Sequence, residues 1–69
     1  MIEEGAIVSC QGDWLERKGL GILARETGRV IDIINVTDDN GESMRFAIIF
    51  WPALRQFTIV NVDNLREIQ

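Results

Sequence analysis

The side chains of this chain that could do covalent or metal chemistry are few and poorly grouped. Cys10 is the single cysteine, and the 69 residues contain no histidine. A thiol attacks as its thiolate, which needs a base or a positive environment, and no histidine exists to serve as that base. Cys10 therefore reads as a small core residue, because free cysteine is among the most buried residue types. Asp13 with Glu16 and Asp38 with Asp39 are formal acid/base pairs. Each pair sits in a polar loop, where nothing lifts a carboxylate into a useful pKa range. Gly19-Leu20-Gly21-Ile22-Leu23-Ala24 fits G-x-G-x-x-A, but it enters a strand pattern in a chain too short for the βαβ frame a dinucleotide needs. Asp38-Asp39-Asn40-Gly41-Glu42 concentrates oxygen atoms as a calcium loop does. The spacing fails, since Val36 stands where an oxygen ligand belongs, five residues before Gly41. A lone thiol cannot build a structural zinc site either. The expectation is a non-enzyme that holds no cofactor and no metal.

What remains is recognition by shape and apolar contact. Trp14, Trp51 and Phe57 are the large aromatics to consider. Trp14 and Trp51 could lie side by side as a shelf for a peptide, a base or another subunit; Trp14 could equally lid the core. Phe57 is expected to fill the interior. Trp51 is expected at the surface, because its face of the strand is opposite the one bearing Phe46, Ile48 and Phe50. Arg45 and Arg55 bracket the same region, and arginine beside apolar area is either an interface anchor or simply solvated charge. Arg17 and Lys18, next to Glu16, read as solvated charge.

The elements that must position these residues are short strands. Ala6 to Cys10 alternates as one, with Ala6, Val8 and Cys10 on one face. Residues 11 to 18 break the pattern and read as a long loop, in which Asp13 and Glu16 could form a capping box. Alternation resumes at Leu20, Ile22 and Ala24, followed by a turn at Thr27-Gly28. Val30 to Thr37 is rich in β-branched residues and suits a pleated surface. Asn40-Gly41 predicts a two-residue hairpin turn built on positive φ angles. Met44 to Trp51 follows, apolar on both faces, until Pro52 removes an amide hydrogen and ends it. Gln56 to Val60 is the next strand, with Phe57 and Ile59 predicted inward. One tight helical turn is expected across Asn61 to Leu65, and Arg66 to Ile68 closes as a last strand.

Sixty-nine residues make one domain, residues 1–69, near the lower size limit for autonomous folding. Chains this small lean on disulfides, metals or association, and a single cysteine closes off the first. The net charge of −4 opposes indiscriminate nucleic-acid binding, which needs a basic field to displace counterions. The opening Met1-Ile2-Glu3-Glu4-Gly5 has no basic leader, and no apolar run reaches membrane-spanning length. With an unpaired cysteine this predicts a protein of the reducing cytoplasm.

Five or six short strands with one long loop and a late helical turn describe an all-β, strongly bent barrel. The order of residues resembles the SH3-like small β-barrel superfamily. The resemblance rests on Glu4-Gly5-Ala6-Ile7-Val8, on Gly19-Leu20-Gly21-Ile22-Leu23, on the apolar hairpin, and on Val62-Asp63-Asn64-Leu65-Arg66-Glu67-Ile68. Asp13-Trp14-Leu15 ahead of Gly19-Leu20-Gly21-Ile22 also resembles short SH3-like proteins of tailed bacteriophages, which would place the chain in a host cytoplasm or a virion. Members of the superfamily bind peptides, modified lysine or, in the KOW type, nucleic acid, and others serve as assembly domains. Within that range the residues choose: both faces of the Met44 to Trp51 strand are apolar, a surplus that one small core cannot bury, and the expectation is a protein-binding or assembly module, self-associating or docking on a larger complex. By strand parity its docking face comprises Ile31, Ile33, Ile49 and Trp51, with Arg45, Arg55 and Trp14 nearby, and a β-bulge would exchange the faces downstream of it. The alternative is a KOW-like nucleic-acid accessory module using Arg17, Lys18, Arg25 and Arg29 with Trp14 for stacking.

Overall fold

A computed structural model describes residues 2–10 and 26–68. The predicted strand at Leu20 to Ala24, the Asp13/Glu16 turn and Trp14 lie outside the described residues. Five strands follow in chain order: β1 (Ile7–Cys10), β2 (Gly28–Thr37), β3 (Ser43–Trp51), β4 (Gln56–Asn61) and β5 (Leu65–Glu67). They form one antiparallel sheet in the order β4-β3-β2-β1-β5. The sole helical element among the described residues is a 3₁₀ turn at Val62–Asn64. No helix among them is long and apolar enough to cross a membrane.

Local chemistry accounts for the β4–β5 and β2–β3 connections. The Asn61 side chain accepts the Asp63 N–H at 2.8 Å, and the Leu65 N–H returns to the Val62 carbonyl, so one turn is capped at both ends and goes no further. The β2–β3 connection differs from the predicted two-residue turn. Asp38 and Glu42 pair through Asp38 N–H to Glu42 C=O at 2.8 Å, which leaves a three-residue loop of Asp39, Asn40 and Gly41. The Gly41 N–H donates to the Asp38 carbonyl at 3.0 Å, and Gly41 alone in that loop takes a left-handed φ, of 81°. Asp38 explains the choice. Its carboxylate accepts the N–H groups of Asn40 and Glu42, both at 2.9 Å, stabilising a type I turn closed by a glycine bulge over the primed turn.

The core is formed by Ile2, Val8, Cys10, Val30, Ala47, Ile49, Trp51, Val60 and Leu65. Trp51 and Ile49 are the largest of its fully enclosed side chains. Strand β2 carries an irregularity between Val30 and Asp32, leaving Ile31 as the extra residue. Val30 pairs with Ile49 and Ile33 with Ala47, so two residues three apart both face the core and the parity of β2 changes at the bulge.

Candidate functional site

The hairpin β2–β3 and strand β4 have two apolar faces, and the structure assigns them in the reverse of the sequence expectation. The inner face of β3 is Ala47, Ile49 and Trp51, all enclosed. Trp51 is therefore no surface shelf. Its indole Nε1–H donates to Thr58 Oγ1 at 2.8 Å, which satisfies the one polar atom that burial would strand. Room for the ring comes from Gly28: a Cβ there would lie 2.5 Å from Ile49 Cγ2 and 2.9 Å from Trp51 Cε3. A side chain at position 28 and the indole cannot share that space. Ile49 is excluded from docking for the same reason of enclosure.

The outer face follows from the pairing register, because directly opposed residues share a face. One row runs Arg29, Phe50, Phe57; the next runs Asp32, Ile48, Ile59; the third runs Ile34, Phe46, Asn61; Val36 and Met44 form the last. Phe57 and Ile59, expected inside, are 63% and 61% exposed. Ile34, Val36 and Met44 are also exposed, and Phe46, Ile48 and Phe50 are half-buried. Phe50 and Phe57 pack as a tilted cross-strand pair with ring centroids 4.8 Å apart. Beyond Phe50 this surface runs into a cleft of about 300 Å³ lined by Ile7, Thr27, Gly28, Arg29, Phe50 and Pro52. Scattered apolar residues on a protein surface are ordinary, whereas here they form contiguous rows across three strands.

The other predicted contact residues disperse. Ile31 is exposed as the bulge residue, whereas Ile33 is half-buried against the core. Arg45 points to the inner side, where its guanidinium donates to the Ile2 carbonyl at 3.1 Å and ties the N-terminal segment to β3. Beside it lies an open hollow of about 500 Å³ that Glu3, Glu4, Ile33 and Asn35 also line. Arg55 is exposed in the β3–β4 loop at a φ of 52°, a left-handed conformation unusual for a residue with a side chain. Of the proposed nucleic-acid set, Arg29 stands on the outer face, and Trp14, Arg17, Lys18 and Arg25 lie outside the described residues.

Cys10 is buried in the core, and burial pushes its thiol from 9.0 up to about 11. That direction disfavours the thiolate that nucleophilic chemistry needs. No group of three or more Cys, Asp or Glu side chains placed to hold a metal occurs among the described residues.

Sequence reasoning missed the outer face because Phe46, Ile48 and Phe50 are as apolar as Ala47, Ile49 and Trp51, so polarity does not choose between the two sides. One signal was present. With the β3–β4 pairing fixed by the turn after Trp51, Thr58 and Val60 share the Trp51 side while Phe57 and Ile59 share the Phe50 side, so Thr58 offers the acceptor that a buried Trp51 indole needs on its own side. No family model, curated protein or solved structure matches the chain.

Proposed function

We propose that this protein is a non-catalytic docking module, an SH3-like small barrel that self-associates or joins a larger assembly through the outer face of β2, β3 and β4. The observation that carries the reading is the exposure of Phe57 and Ile59 beside the half-buried Phe50 and Ile48. Covering several hundred Å² of such surface, at about 25 cal/mol per Å², is a gross gain of several kcal/mol, which a fold of this size otherwise lacks. The barrel reading draws support from the meander β1 to β4, from the return of β5 to β1 after a 3₁₀ turn, and from the bulge that lets β2 bend between two pairings.

The test is site-directed photo-crosslinking in the native source, with a benzophenone amino acid in place of Phe57 and, as a control, in place of Asn40 at the hairpin tip. The reading expects one discrete adduct from position 57 and none from position 40. Its mass separates self-pairing, at twice the chain mass, from docking on a larger protein. Equal, diffuse labelling from both positions contradicts it.

A further inference from the structure

The outer face carries charge in register with its apolar rows. Arg29 begins the row of Phe50 and Phe57, and Asp32 begins the adjacent row of Ile48 and Ile59; both are exposed. Asp32 Oδ1 accepts the Ile33 N–H at 2.8 Å, which leaves the second carboxylate oxygen for a further partner. We propose that the occupant of this face is a second copy of the same chain, packed sheet on sheet about a two-fold axis that crosses the strands between these two rows. The inference rests on the docking reading above and adds the partner and the register.

Such an axis keeps each strand over its counterpart and exchanges the two rows. Phe57 then lies over Ile59 of the second copy, Phe50 over Ile48, and Arg29 over Asp32, each contact occurring twice because a two-fold interface is isologous. Moving the axis onto either row would stack Arg29 on Arg29 or Asp32 on Asp32, so like charge penalises the neighbouring registers. Twisted sheets accommodate the arrangement as an aligned packing with strands rotated by about 30°. A face whose adjacent rows bear opposite charges is complementary to its own rotated image, which is a specific argument for a second copy over an unrelated partner.

The area fits a weak dimer. An aromatic side chain presents roughly 150–250 Å² when bare, so the exposed parts of the eight outer apolar residues amount to about 500 Å² per copy. Two copies bury about 1,000 Å², the lower end for specific association, which predicts weak, reversible pairing.

Sedimentation equilibrium of the full chain from micromolar to millimolar concentration tests this, with circular dichroism verifying that each variant is folded. The wild type is expected to move from monomer to dimer across the range. Arg29→Asp and Asp32→Arg are each expected to weaken pairing about tenfold or more, and the double variant R29D/D32R to restore it to within about threefold, since the exchanged charges meet again across the axis. Ile59→Lys is expected to stay monomeric. A wild type that is monomeric throughout overturns the inference, as does a dimer indifferent to the single charge changes or not rescued by the double. Should the wild type remain monomeric while position 57 still forms a discrete adduct with another protein, the second copy is wrong and the docking reading survives. Should both experiments fail, both ideas fall.

Discussion

Trp51 and Phe57 are large aromatics on neighbouring rungs of one hairpin, and they occupy opposite environments: Trp51 has no exposed surface, and Phe57 is 63% exposed. The contrast shows what decides orientation in a strand that is apolar on both sides. Hydrophobicity cannot choose between the faces, because each offers a similar gain on burial. The choice falls to features worth less individually: a hydroxyl at Thr58 that accepts the indole N–H, a missing side chain at Gly28 that admits the ring, and one extra residue at Ile31 that shifts β2. The inner face is a fitted interior, and the outer face is a surface that still has solvent to lose.

The sharpest way to break the comparison is a matched pair of truncations. Trp51→Ala is expected to cost about 3–5 kcal/mol, which for a domain this small leaves the chain largely unfolded in urea titrations. Phe57→Ala, measured in dilute monomer, is expected to cost under about 1.5 kcal/mol, chiefly the lost ring pair with Phe50. Equal losses would erase the distinction between the faces.

Next in size is Gly28→Ala. A methyl group 2.5 Å from Ile49 Cγ2 forces the tightest part of the core apart, and the expected cost is about 1–3 kcal/mol in the same titration. Thr58→Val keeps the volume and removes the acceptor, stranding the Trp51 N–H at an expected cost of about 1–3 kcal/mol, while Thr58→Ser retains most of the bond. A neutral Thr58→Val would mean that the hydroxyl does not set the ring.

A smaller effect appears in pH. The Cys10 thiol is held protonated by burial, with its pKa raised from 9.0 to about 11. For a group raised on folding, the stabilising contribution is complete below pH 9.0 and is lost as pH climbs toward about 11, because the unfolded chain ionises first. Cys10→Ala should therefore fall less steeply than the wild type across that window in pH-dependent urea midpoints. Parallel curves would place the thiol in water.

Much of the fold was legible from the chain, and the reasons are local. The ends of β3 and β4 follow from Pro52 and from the polar run beginning at Asn61, and the 3₁₀ turn at Val62–Asn64 follows from the cap that Asn61 provides. The exact hairpin was not legible, because Asn40-Gly41 satisfies a primed turn equally well until the Asp38 carboxylate is counted. The exposed apolar face is legible as a surplus of apolar side chains and illegible as to side. Strand parity puts Ile49 and Trp51 outward, but the rule carries no sign when both parities are apolar, and within β2 the bulge at Ile31 changes parity as well. Arg45 reads as either an interface anchor or solvated charge, because a bond to the Ile2 carbonyl, 43 residues away in sequence, has no local signature.

The most direct measurement is hydroxyl-radical footprinting of Trp51, Phe57 and Ile59 as a function of protein concentration. The account predicts that Trp51 stays unreactive throughout, while Phe57 and Ile59 react rapidly in dilute solution and become protected as concentration rises. Oxidation of Trp51 as fast as Phe57 in dilute folded protein, or reactivity at Phe57 and Ile59 that never changes with concentration or added partner, would contradict it.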